Sequence, residues 1–120
     1  MSDDRDDPVG RVATGLREWA RGLIPLEAAV ELIATACGGR LLYGPWIRLD
    51  ACGQHWFDPD IAAVEKGVLS GGERRVLTIV MSLASAEHPL DLSDAVCGLD
   101  DDALDAVLRG LAHAGKRNIP

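Results

Sequence analysis

Apolar residues recur at helical spacing through most of this 120-residue chain, and Gly or Pro interrupts each run after a few turns. The first run has Val9, Val12, Leu16, Trp19 and Leu23 on one face. Such spacing predicts short amphipathic helices that bury one face each against their neighbours. No fully apolar run exceeds three or four residues, which is too short to cross a bilayer. The pattern therefore predicts a small helical domain with no membrane segment.

Capping and breaking residues place the helix ends. Helices are predicted over residues 9–22, from Pro25 to Gly38–Gly39, from Pro59 to about Lys66, over 71–86, over 91–97 and over 100–115. The helix over 71–86 has apolar residues almost all round, which predicts that it is the central, buried helix. The predicted fold is mainly α with a minor β part, a single small orthogonal helical domain of about five helices.

The helical spacing of the apolar residues stops between residues 40 and 58. The runs WIRL and QHWF flank DACG, which combines β-forming residues with a Gly suited to a bulged turn. We therefore predict one short β-hairpin near residues 46–57. The domain is expected over residues 9–115, with a flexible acidic segment over 1–8 and a tail over 116–120.

The net charge of the chain limits the kinds of molecule that we expect it to bind. The net charge is −7, and acidic residues are spread over both halves of the chain. A field of that sign repels phosphate backbones, so no nucleic-acid binding is expected. Residues 91–114 have the outline of a helix-turn-helix, but the second helix would begin with three aspartates, Asp100–Asp102. Without a basic and apolar leader, a cytoplasmic location is expected, where Cys37, Cys52 and Cys97 stay reduced.

Residues 69–75 read LSGGERR and contain the strongest candidate site. Ser70 to Glu73 form an S-x-x-E capping box at the start of an apolar helix, which explains the Ser and the Glu. The box leaves Gly71 and Gly72 unexplained, and bare N–H groups at a helix start bind phosphate or carboxylate well. The candidate ligand-binding or anion-binding residues are Ser70, Gly71, Gly72, Arg74 and Arg75.

The letters LSGGE resemble the signature sequence of ABC-type ATPases, with Gly98-Leu99-Asp100 standing where that family has a GLD-containing loop. The resemblance covers about 30 residues and implies that Ser70, Gly71 and Gly72 face the terminal phosphate of a nucleotide held by a second subunit. The chain departs from that family in two ways. Residues 88–96 lack the apolar strand ending in Asp-Glu, and residues 110–117 lack the hydroxyl of a phosphate loop. Helix capping is therefore the preferred interpretation of the motif.

Four of the five aromatic residues lie within one short stretch, as Tyr43, Trp46, Trp56 and Phe57. They serve either as the packing of the hairpin against the helices or as an interaction surface, because Trp and Tyr are favoured as interface anchors. Arg40 and Arg48 flank them.

Cys52, His55 and Asp58 are too few for a zinc site, and no local signature supports a Cys–His nucleophile pair. No catalytic residue, metal or cofactor is therefore predicted. The preferred hypothesis is a non-enzymatic domain that contacts another protein, and a second copy of itself, as a homodimer, is one candidate partner. The alternative is a small-ligand, nucleotide or phosphate-binding protein that uses residues 70–75.

Overall fold

The computed structural model describes residues 8–116, which form six α-helices and one two-stranded antiparallel sheet. The helices are α1 (Pro8–Ala20), α2 (Ile24–Thr35), α3 (Pro59–Glu65), α4 (Gly71–Ala84), α5 (Leu92–Cys97) and α6 (Asp101–Ala114). The strands are β1 (Ile47–Leu49) and β2 (His55–Phe57), and 3₁₀ segments cover Ala36–Tyr43 and Lys66–Val68. The prediction of a mainly α fold with one short hairpin is confirmed. The acidic segment predicted over 1–8, apart from Pro8, and the residues after 116 lie outside the described residues.

Helices α2 and α4 together form the centre of the domain. Helix α2 contacts α1, α4 and α6, and α4 also contacts α3 and α5. Each contributes five buried residues, namely Ala28, Ala29, Val30, Leu32 and Ile33 from α2 and Val76, Leu77, Ile79, Val80 and Met81 from α4. The sequence placed α4 alone at the centre, whereas α2 shares that position because its alanines admit close neighbours. Among the described residues no helix is long and apolar enough to span a membrane.

The turn after α2 has an unusual backbone. Helix α2 ends at Thr35, before the predicted end at Gly38–Gly39, and Cys37, Gly38 and Gly39 have φ of 55°, 64° and 80°. Gly adopts this left-handed conformation freely, whereas for Cys37 it is sterically unfavourable. The turn therefore forms a kink within the 3₁₀ segment Ala36–Tyr43, which precedes the hairpin.

The hairpin packs on α1 and is anchored in the core by aromatic side chains. Its register pairs Ile47 with Phe57 and Leu49 with His55. The indole Nε1 of buried Trp46 donates a hydrogen bond of 2.8 Å to the carbonyl oxygen of Leu41. The hairpin therefore gains the support that two isolated strands lack.

Within residues 8–116, four helices begin at a side-chain cap. Asp58, Ser70, Asp91 and Asp100 each accept a hydrogen bond from backbone N–H groups in the first turn of α3, α4, α5 and α6, respectively. Each cap satisfies donors that would otherwise have no partner in the helix. These caps position the segments that surround the candidate site.

Candidate functional site

Helix α4 begins with the capping box that the sequence predicted. The backbone N–H of Glu73 donates to Ser70 Oγ at 3.3 Å, and that hydroxyl donates to Glu73 Oε1 at 2.8 Å. The return contact that the capping box predicts is therefore present, and it joins the Glu73 carboxylate to the hydroxyl of Ser70. The two polar side chains of SGGE satisfy each other.

Glu73 also holds a neighbouring element. Arg40 Nε, from the 3₁₀ segment, donates to Glu73 Oε2 at 3.2 Å. The hydrogen bond from Ser70 and the contact with Arg40 lower the pKa of Glu73 below its ordinary value. Both bonds stabilise the ionised carboxylate, so Glu73 carries its charge as a structural group at neutral pH.

The two arginines of the motif bind backbone oxygens within the protein. Arg74 Nη2 donates to the carbonyl oxygens of Leu69 at 3.2 Å and Gly67 at 3.5 Å. Arg75 Nε donates to the carbonyl oxygen of Asp94 at 3.4 Å, and its guanidinium lies against Gly98. Arg74 therefore ties α4 to the preceding turn, and Arg75 ties α4 to α5.

The residues of LSGGERR face two different clefts. Ser70, Gly72 and Glu73 line a cleft of about 620 Å³. Gly71, Arg74 and Arg75 line another cleft of about 280 Å³. Because successive positions on a helix point in different directions, the five candidate residues do not converge on a single pocket.

The larger cleft is acidic. Carboxylates from Glu73, Asp100, Asp102 and Asp105 line it, together with the guanidinium groups of Arg40 and Arg109. The side chains that line this cleft carry more negative than positive charge. They therefore disfavour binding of a phosphate group beside Gly72.

The half-buried thiol of Cys37 also lines this acidic cleft. Burial raises the pKa of the thiol, and Glu73 raises it further. A raised pKa is the opposite of what an activated nucleophile requires.

The smaller cleft has the more favourable charge for an anion. Lys66, Arg74 and Arg75 line it beside Gly71, together with two aspartates, Asp91 and Asp94. In the described residues these three cations have hydrogen bonds to neutral oxygens and no ion pair. Three cations beside the start of α4 are compatible with a phosphate or carboxylate group.

Gly98-Leu99-Asp100, the GLD string of the resemblance, has a structural role. Asp100 Oδ1 accepts a hydrogen bond of 2.8 Å from the backbone N–H of Ala103 and caps α6. Gly98 leaves room for the guanidinium of Arg75, because a Cβ there would overlap it. Gly98 and Asp100 are therefore explained by contacts within the domain.

The aromatic cluster lies mostly in the core. Trp46 and Phe57 are each only 2% exposed, so in this conformation they pack the hairpin onto the helices. Trp56 is half-buried, with the guanidinium carbon of Arg48 5.8 Å from its ring centroid. Tyr43 is 71% exposed. Of these four aromatic residues, Tyr43 and part of Trp56 are accessible in this conformation, and the interaction surface stays a prediction.

Cys52 and His55 line a third cleft, of about 610 Å³, between α1 and the hairpin turn. His55 packs against Gly15 of α1, and Gln54 Nε2 donates to the Gly15 carbonyl oxygen at 2.8 Å. Asp58 is separately engaged as the cap of α3. Among the described residues no group of three or more His, Cys, Asp or Glu side chains is arranged to hold a metal ion.

A further surface lies on α6, outside the candidate site residues that the sequence predicted. Leu104, Leu108 and Leu111, here called the leucine stripe, are 36%, 45% and 40% exposed. The buried residues of α6 are instead the small or branched ones, Ala103, Ala106, Val107 and Gly110. In the sequence, the apolar residues of α6 cover more than one face of the helix. This wide apolar sector was the sequence signal for the exposed leucines.

The comparisons with known proteins add no relative. No protein-family model matches the chain, and no curated protein or solved structure is significantly similar to it.

Proposed function

We propose that this protein is a non-enzymatic contact module that binds another protein through the leucine stripe of α6. The observation that supports this proposal is the position of three leucines on successive turns of one helix, each more than a third exposed. Single exposed apolar residues are common on protein surfaces, but an aligned row of them is typical of helix-mediated contacts.

The distribution of side-chain size on α6 supports the same proposal. A Cβ on Gly110 would lie 3.6 Å from Leu32 Cβ and 3.8 Å from the Ala28 carbonyl oxygen, so α6 approaches α2 closely through its small residues. The large side chains therefore remain outside. Full burial of one leucine is worth about 1.5–3 kcal/mol, so a partner that covers the stripe gains substantial free energy.

Position-specific photocrosslinking tests this proposal. A photoreactive amino acid replaces Leu108 in one version of the full chain and Val68 in a control, expressed in the cells that naturally contain the protein. Val68 suits the control because it is apolar and 85% exposed but lies outside α6. We expect a discrete adduct from position 108 that Leu104→Glu abolishes, and no such adduct from position 68. Equal adduct patterns from the two positions would refute the proposal.

A second candidate function is binding of a phosphate or carboxylate ligand in the smaller cleft. Lys66, Arg74 and Arg75 support it because they gather three positive charges beside Gly71. Of the 70–75 motif, this candidate uses Gly71, Arg74 and Arg75, whereas Ser70, Gly72 and Glu73 line the acidic cleft.

A thermal-shift titration with inorganic phosphate and with ATP–magnesium tests the second candidate. Binding to the folded state alone raises the melting temperature, by the equivalent of about 2.7 kcal/mol at a hundredfold excess over Kd. We expect Arg74→Ala to abolish any shift, whereas Arg21→Ala, which removes an exposed charge elsewhere, leaves it. A flat titration with both ligands would exclude this function.

A further inference from the structure

We propose that the partner of the leucine stripe is a second copy of this chain, and that the two α6 helices pack antiparallel. This inference rests on the proposed function, because it names the occupant of the same surface. It is carried by the distribution of charge along α6.

Charge changes sign along the helix. Its N-terminal half carries carboxylates, at Asp100, Asp101, Asp102 and Asp105. Its C-terminal half carries Arg109, and Lys116 follows just beyond the helix, whereas His113 Nε2 contacts Glu27 Oε1 of α2 at 3.1 Å. A parallel pair would place the acidic halves of two copies side by side, whereas an antiparallel pair places each acidic half beside a basic half. The helix dipoles also oppose each other favourably in the antiparallel arrangement.

The lateral positions of the charges agree with this arrangement. With about 100° of rotation per residue, Asp105 and Arg109 project from the same flank of the leucine stripe. In an antiparallel pair with two-fold symmetry, the same flank of α6 from each copy meets at the interface. The two helices run in opposite directions there. When Leu108 faces Leu108 and Leu104 faces Leu111, Asp105 of each copy lies close to Arg109 of the other.

Specific pairing is needed because each copy has a net charge of −7, and two such bodies repel each other in general. The contact is also small. A helix of 14 residues is about 21 Å long, which is short for a stable interface. We therefore expect a dimer of micromolar affinity, populated at about 10–100 μM chain.

Sedimentation equilibrium of the full chain between about 1 μM and 1 mM measures this dimer directly. Wild-type protein should approach twice the monomer mass as its concentration rises. Leu108→Glu should weaken the dimer at least tenfold, while Val68→Glu, on an exposed residue outside α6, should leave it unchanged. Circular dichroism melting confirms that each variant is folded.

A mixing experiment tests the antiparallel pairing. Asp105→Arg and Arg109→Asp should each lose self-association, because each homodimer would then juxtapose like charges. An equimolar mixture of the two variants should form a heterodimer, because positions 105 and 109 become complementary across the interface. Glu65→Arg and Arg21→Asp carry the same charge changes away from α6, so each of these controls should self-associate like wild type.

Two outcomes would overturn the inference. Wild-type protein that remains monomeric at about 1 mM excludes a second copy as the partner. A dimer whose two charge variants fail to recover on mixing excludes the antiparallel pair. In the first case, a position-108 crosslink to a different protein would leave the proposed contact function intact, so the two failures are distinguishable.

Discussion

Ser70 and Glu73 exchange hydrogen bonds at the first turn of α4, with Glu73 N–H donating to Ser70 Oγ and that hydroxyl donating to Glu73 Oε1. The pair closes the start of a helix that carries five buried core residues. Ser70 and Glu73 of LSGGERR therefore stabilise the fold in the absence of any ligand. Predictions about stability follow from this pair and from the packing around it.

Ser70→Ala should lower the free energy of unfolding by about 1 kcal/mol, because it leaves the cap of α4 without an acceptor. Urea denaturation followed by circular dichroism measures the change. Ser93→Ala is a suitable control, because that exposed serine lies within α5 and is not a cap. An unchanged denaturation midpoint for Ser70→Ala would contradict the capping role.

Gly72→Ala should raise the free energy of unfolding by about 0.5–1 kcal/mol, because Ala favours helix and restricts the unfolded chain. No atom lies within 4 Å of the position that the new Cβ would take, and Gly72 has no positive φ. A thermal melt compared with wild type measures the gain. A loss of stability would show that Gly72 has a close neighbour in solution that the structure does not contain.

Glu73 should give the protein an acid-sensitive contribution to stability. Its pKa is lowered in the folded state, so the contribution is complete above the unfolded pKa of about 4.3 and is lost as the pH falls through the lower folded value. Glu73→Gln should therefore be less stable than wild type near pH 7, with a difference that shrinks below about pH 4. Denaturation at a series of pH values tests this, with Glu65→Gln as the control for loss of one exposed charge.

Gly44→Ala should destabilise the protein by about 1–3 kcal/mol, because overpacking a core forces side chains from their positions. A Cβ at residue 44 would overlap the indole ring of Trp46, which is 2% exposed and cannot move into solvent freely. Intrinsic tryptophan fluorescence during urea denaturation reports the loss. Gly67→Ala serves as the matched control, since its Cβ would meet no atom within 4 Å. Equal stability of the two variants would place Trp46 outside the core.

The three thiols should differ in reactivity. Cys52 and Cys97 are exposed, whereas Cys37 is half-buried and burial raises the pKa of its thiol. Only the thiolate reacts, so labelling of Cys37 by a disulfide reagent should be the slowest at pH 8 and should accelerate at higher pH. Variants that retain one cysteine each allow the three rates to be measured separately. Fast labelling of Cys37 at neutral pH would indicate an activated thiol in the acidic cleft.

Local signals sufficed for much of the fold. Ser70 and Asp100 mark helix starts because a capping side chain acts within three residues of itself, and Pro59 marks another because its fixed φ suits the first turn. The hairpin between residues 47 and 57 was predictable for the same reason, since its turn chemistry is local. These features depend on backbone hydrogen bonds between residues that are close in sequence.

Tertiary packing decided which surfaces remain available. Periodicity shows that Leu104, Leu108 and Leu111 share a face, but only the approach of α2 to the small residues of α6 leaves that face outside. Trp46 and Tyr43 are three residues apart, yet one is buried and the other is 71% exposed. Burial depends on contacts between residues that are distant along the chain, so a local pattern that identifies an apolar side chain does not identify what covers it.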